Sequence, residues 1–169
     1  MSKKKGTRAE RELSHMFWQT DSWAVIRSAG SGSTTYPNPD LIASNGKKIL
    51  AIECKSIKND KKYLSNEDVE QLKTFSEKFG AEAWFGIRFD GIGWYFLNLK
   101  NIEKSKKTGY KIPIDLAKKK GLVFEELIGK YRQKRITNGL KLTFLKKKRS
   151  RKNYFRKSVH GKEWFKIIV

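Results

Sequence analysis

The chain has 169 residues, 38% hydrophobic and 33% charged, with a formal net charge of +21. That length and balance fit one domain with a real core and at most an appendage. They exclude a disulfide framework, since Cys54 is the only cysteine, and a membrane-spanning protein, since no apolar run approaches bilayer length.

The charge is unevenly placed. Residues 1–129 hold 23 Lys/Arg against 16 Asp/Glu, whereas 130–169 hold 15 against 1. So large a basic excess predicts a polyanionic partner, most economically nucleic acid, bound with strong salt dependence. A ribosome-associated basic protein and simple solubility are the bland alternatives. His15 and His160 lie far apart and offer no zinc-type spacing, and the basic start lacks a following apolar segment, so a cytoplasmic protein is expected.

Residues 1–6 read as a short basic arm. Thr7-Arg8-Ala9-Glu10 has the form of a capping box, with Thr7 as N-cap, and Ala9, Leu13, Met16 and Phe17 follow at helical spacing. A first helix of about three turns is predicted, with Glu10 at the border of its apolar face. On this segment alone a capping role is the simpler explanation of Glu10. Residues 23–27 read as a strand, and 28–36 as a Gly/Ser/Thr loop running into Pro37 and Pro39. Such a loop is usually a connector, although its small residues also let a phosphate backbone come close.

The stretch 39–55 is where chemistry concentrates. Asn45-Gly46 between two apolar runs predicts a tight hairpin with those residues as its loop and Ser44 facing Lys47. That register sets Asp40 opposite Ala51 and places Asp40, Glu53 and Lys55 on one face, the two acids as diagonal neighbours with backbones roughly 7–8 Å apart. Leu41, Ala43, Leu50, Ile52 and Cys54 fall on the other face, so Cys54 is a buried small hydrophobe and the hairpin is central in a sheet covered by helices. Two carboxylates that can share a cation, with an ammonium beside them, suggest metal-dependent phosphodiester cleavage. Surface ion pairing is the competing explanation, but two acids and one base leave a negative surplus.

Residues 58–63 read as an exposed basic loop. Ser65 or Asn66 caps a second helix over about 67–79, ended by Gly80, with Val69, Leu72, Phe75 and Phe79 along one side. Residues 83–89 and 93–99 read as aromatic-rich strands joined around Asp90-Gly91, and 101–113 as a polar connection. A last helix over 123 to about 134 is predicted, with Phe124, Leu127, Ile128 and Tyr131 inward. The tail alternates at Leu140, Leu142 and Phe144 as a hairpin could, is almost purely basic over 146–152, and keeps enough aromatics to be a partly ordered extension.

A helix, a strand and an acid-bearing hairpin ending in Glu53-Cys54-Lys55 resemble the PD-(D/E)xK nuclease fold, an α/β architecture with a central mixed sheet flanked by helices. The wider context is more specific. Lys5-Gly6-Thr7-Arg8-Ala9-Glu10-Arg11-Glu12-Leu13, Ala24-Val25-Ile26-Arg27-Ser28-Ala29-Gly30-Ser31, Asn45-Gly46-Lys47-Lys48 and Phe75-Ser76-Glu77-Lys78-Phe79-Gly80 look like an archaeal Holliday-junction resolvase of the Hjc type. The similarity runs from about residue 4 to about 129, so residues 1–129 are the expected nuclease domain and 130–169 a basic extension outside the family pattern.

The resemblance implies roles. Glu10, Asp40 and Glu53 would bind Mg²⁺, or Mn²⁺ as a substitute, with the Cys54 carbonyl as a further ligand. Lys55 would stabilise the transition state or orient the attacking water, and Ser31 would be a hydroxyl near the scissile phosphate. Lys5, Arg11, Arg27 and Lys58 would contact DNA, and Phe75 and Phe79 would serve dimer or junction contact. The expected partners are a four-way DNA junction and a second copy of the chain, with no membrane and no small-molecule cofactor. The expected function is paired nicking of opposing junction strands. The alternatives are a PD-(D/E)xK nuclease acting on another DNA structure, and a non-catalytic nucleic-acid-binding module whose acids are structural.

Overall fold

A computed structural model describes residues 3–28, 36–105 and 109–130, together with 158–159 and 162–163. Its centre is a five-stranded mixed sheet in the order β1-β2-β3-β5-β6, made of β1 (Ala24–Arg27), β2 (Leu41–Ser44), β3 (Ile49–Ile57), β5 (Glu82–Phe89) and β6 (Gly93–Asn98). The pairs are antiparallel except β3 with β5, which run parallel and are joined through β4 (Lys61–Leu64) and helix α2 (Asn66–Phe79). A parallel pair needs such a crossover, because a hairpin cannot return the chain to the same end of the sheet.

Apolar residues on both faces of β3 make two cores. Leu50, Ile52 and Cys54 join Leu41 and Ala43 under Ala9, Leu13 and Phe17 of helix α1 (Lys3–Trp18). On the opposite face Ala51 and Ile57 pack with Val69 and Leu72 of α2 and with Phe85, Ile87 and Phe89 of β5. The face assignment read from alternation along the hairpin is therefore correct, and so is the central place of β3. Gly86 stands opposite Cys54 on β5, where an added Cβ would come within 3.1 Å of Phe96 and 3.3 Å of both Ile52 and Trp94.

Four local expectations need correction. Helix α1 begins at Lys3, so 3–6 are not an arm and Thr7 lies inside the helix. Lysine is nearly as good a helix former as leucine, and a single Gly6 costs only about 1 kcal/mol relative to Ala, which α1's packed face outweighs. Residues 61–64 form strand β4, not a loop, because they pair with β8 (Tyr110–Pro113) in a second sheet completed by β7 (Glu103–Lys104). That pairing also replaces the polar connection expected over 101–113. It is followed by an unanticipated short helix, α3 (Ile114–Lys120), which buries Leu116 and Ala117. The last predicted helix is the single turn α4 (Phe124–Leu127), since Gly129 adopts φ 77° and its N–H closes on the Glu126 carbonyl. Phe124 and Leu127 point inward as expected.

The second helix matches closely. Ser65 is its N-cap and forms a reciprocal capping box with Asp68, while Gly80 ends it in the left-handed region at φ 69°. In the tail, β9 (Ser158–Val159) and β10 (Lys162–Glu163) pair with each other. Tyr131 and the hairpin expected around 137–144 lie outside the described residues.

Candidate active site

The hairpin that carries the acids turns one residue later than predicted. Asn45 and Lys48 face each other through the Asn45 N–H to Lys48 carbonyl bond, and Ser44 pairs with Ile49, not Lys47. The reason lies in Asn45, whose side-chain oxygen accepts from the N–H groups of Lys47 and Lys48 at 3.0 and 2.8 Å, so it flanks the turn and leaves Gly46, at φ 78°, as the first turn residue. The register moves by two residues. An even shift keeps every side chain on its face. Continuing the Leu41–Ile52 pairing brings Asp40 level with Glu53, directly across and not diagonally.

Asp40 is fixed from three sides. It follows the buried Pro39, its carbonyl accepts from Ser28 N–H at 2.9 Å, and its Oδ2 accepts from the Cys54 N–H at 2.8 Å. Asp40 is only 6% exposed. Across the hairpin Glu53 is held with its Oε1 2.9 Å from Lys55 Nζ. Burial, then the neighbouring Asp40 charge, push the Glu53 carboxyl up to about 7 despite Lys55. The Cys54 thiol is likewise pushed up, by burial and by the surrounding carboxylates, so it is no nucleophile at neutral pH.

Lys55 is bound on a second side by a residue that the sequence reading missed. Asp68, at the third position of α2, places Oδ1 3.0 Å from Lys55 Nζ and uses Oδ2 for the capping box. Burial alone would lower the lysine pKa, but Glu53 and Asp68 together raise it, so Lys55 is a fixed cation and not a base. Lys62 on β4 is a further missed neighbour, its pKa lowered first by burial and then by the charge of Lys55. The Ser65-x-x-Asp68 capping pattern was a readable signal for Asp68; nothing local marked Lys62.

Glu10 reaches the site from α1, where its Oε2 lies 3.1 Å from an Arg27 guanidinium nitrogen at the end of β1. Glu10 therefore serves no cap, and Arg27 presents its charge to a site carboxylate. Among the described residues no three His, Cys, Asp or Glu side chains stand gathered as a ready metal cluster, because Glu10 is turned to Arg27 and Glu53 to Lys55. Arg11 and Lys58 are exposed, and Lys5 lies in the first turns of α1. Ser31 falls outside the described residues. Phe75 and Phe79 stack on α2 with centroids 5.1 Å apart, Phe75 against the core and Phe79 49% exposed.

A mixed sheet between helices, with Asp40 ahead of one central strand and Glu53-x-Lys55 on the next, defines a PD-(D/E)xK nuclease. The model of the archaeal Holliday junction resolvase family (Hjc) matches residues 1–136. A crossover junction endodeoxyribonuclease Hjc from Archaeoglobus fulgidus is 41% identical over 133 residues, covering 75% of this chain and 97% of that protein. The protein of the same description from Methanocaldococcus jannaschii is 36% identical over 133 residues, covering 79% and 93%. The solved structure of Archaeoglobus fulgidus Hjc, a Holliday junction resolvase from an archaeal hyperthermophile, superposes with a TM-score of 0.67 at 40% identity, covering 73% of this chain and 98% of that one. The chain belongs to the archaeal Holliday junction resolvase family.

Proposed function

We propose that this protein resolves four-way DNA junctions as a Mg²⁺-dependent homodimer, each protomer nicking one of two opposing strands. The observation that carries the catalytic part is the Asp40–Glu53 pair, a buried and a partly buried carboxylate level with each other across a hairpin. Burial first, and then the neighbouring Asp40 charge, push the Glu53 carboxyl up to about 7, which a bound cation would offset. An all-oxygen donor set suits a hard cation that keeps several of its waters, so Mg²⁺ fits, with Mn²⁺ as a substitute. Asp40, Glu53 and Glu10 would hold it, Glu10 after leaving Arg27.

When bound, the ion supplies Lewis acidity to the scissile phosphate and to the attacking water. The chain's own residues do the rest. Asp40, locked by the Cys54 N–H, would fix where the cation sits relative to β3. Lys55, permanently charged, offsets the negative charge that builds on the phosphate oxygens as the new bond forms. Arg27, once released by Glu10, is free to hold a backbone phosphate beside the cut. Arg11, Lys58 and the basic residues after 129 add phosphate contacts that position the DNA without reading its sequence.

A dimer follows from the substrate's near two-fold symmetry, which a C₂ pair of sites matches, and the half-exposed Phe79 stacked on Phe75 offers it a hydrophobic contact. The discriminating test compares a four-way junction with a linear duplex built from the same strands. Paired nicks near the branch with the duplex left intact support the proposal. Equal cleavage of the two would replace junction resolution with general nuclease activity.

A further inference from the structure

The Lys55 ammonium sits between two carboxylates with different prospects. Glu53, at 2.9 Å, is shared with the acid pair that the proposed function gives to a cation. Asp68, at 3.0 Å, belongs to the other face of the ion pair and to a different element, the first turn of α2. Its carboxylate divides its oxygens between two tasks. Oδ1 meets Lys55, while Oδ2 accepts from the Ser65 N–H at 2.9 Å and the Ser65 hydroxyl at 2.6 Å. The Asp68 N–H returns a bond to the Ser65 oxygen at 2.9 Å. A carboxylate tied this way to a helix terminus has little freedom to follow the lysine, so the lysine must come to it.

We propose that Asp68 is the positioning residue for Lys55, holding the ammonium toward the scissile phosphate when Glu53 turns to the cation. This inference rests on the nuclease reading of the site. Lys55 has a flexible stem, and with Glu53 as its single anchor the ammonium would move wherever that carboxylate went. A second anion on α2 uncouples the two. Asp68 touches neither the phosphate nor the cation in this role and acts only through Lys55.

The test is Asp68→Asn in the full-length chain, with Asp68→Glu, Lys55→Ala and Gly80→Ala beside it. Asparagine keeps the planar shape and an acceptor for Ser65 but loses the charge on Lys55. Gly80→Ala strains the opposite end of α2, where φ is +69°, and so reports what loss of helix stability alone does. Single-turnover cleavage of a junction at saturating protein should fall roughly 10- to 100-fold in Asp68→Asn. Junction affinity in Ca²⁺ should stay within about twofold, Asp68→Glu should recover part of the rate, and Gly80→Ala should cut normally at a temperature below its melt. A second readout needs no cleavage: the Lys55 ammonium signal in a ¹⁵N-lysine spectrum should survive Mg²⁺ addition in the wild type and vanish in Asp68→Asn. A wild-type rate in Asp68→Asn beside an inactive Lys55→Ala overturns this inference alone. Normal cleavage by Lys55→Ala overturns the site reading beneath it.

Discussion

The Asp40 carboxylate accepts a hydrogen bond from the Cys54 backbone N–H at 2.8 Å, and this bond ties the acid that precedes β2 to the strand that carries Glu53 and Lys55. The bond is buried, and breaking it leaves an unpaired N–H on β3. The geometry of the acid pair is thus set by backbone, not by side-chain packing alone.

Glu53 makes stability depend on pH in the metal-free protein. Its pKa rises from 4.5 to about 7 on folding, so the folded state binds the proton more tightly. The associated stabilisation is complete below pH 4.5 and is lost as pH climbs through 7. Its size is up to about 3 kcal/mol. Denaturant melts in EDTA should show this decline in the wild type and not in Glu53→Gln. Mg²⁺ should restore more stability at pH 8 than at pH 5. Identical pH profiles for the two proteins would remove Glu53 as the titrating group.

Arg27 should couple cation and DNA binding. Its guanidinium lies 3.1 Å from Glu10, and a cation that recruits Glu10 would free it for a phosphate. Junction affinity in Ca²⁺ should exceed that in EDTA for the wild type, and Arg27→Ala should lose much of that difference while its salt slope shrinks by about one. An undiminished Ca²⁺ effect in Arg27→Ala would contradict the exchange.

Gly86→Ala should be costly although its backbone is ordinary. The new methyl meets Phe96, Ile52 and Trp94 at 3.1–3.3 Å, in the sheet opposite Cys54. Overpacking of this kind costs about 1–3 kcal/mol. A denaturant melt equal to wild type would show that the aromatic layer yields freely.

Residues 130–169 should govern salt sensitivity. They hold 15 basic residues and 1 acidic one, and truncation after Ile128 should flatten the log–log salt dependence of binding by several units while leaving the cut positions in place. An unchanged slope would show that this charge does not meet the DNA.

What was legible beforehand follows from which physical signals are local. Alternation along 41–44 and 49–55 sorted the faces correctly, because period two is insensitive to an even slip of register. The turn itself was misplaced, since Asn45 could act either as a turn residue or as a flanking acceptor, and only the bonds to Lys47 and Lys48 decide it. Strand β4 looks like a loop in sequence because its partner β8 lies far along the chain. The same non-locality hides Lys62 and the approach of Asp68 to Lys55. Both approach Lys55 only after α2 and β4 have folded back on β3. Family resemblance points to Glu10, but its pairing with Arg27, 17 positions away, is invisible in either segment alone.

The most direct measurement is junction binding and junction cleavage by Asp40→Asn, in parallel and in Mg²⁺. Asparagine keeps the size of the side chain and an oxygen for the Cys54 N–H, but removes the charge from the acid pair. The expected result is affinity no lower than that of the wild type in EDTA, with cleavage reduced by more than about a hundredfold. An Asp40→Asn protein that cuts junctions at the wild-type rate would contradict the assignment of the Asp40–Glu53 site as the catalytic centre.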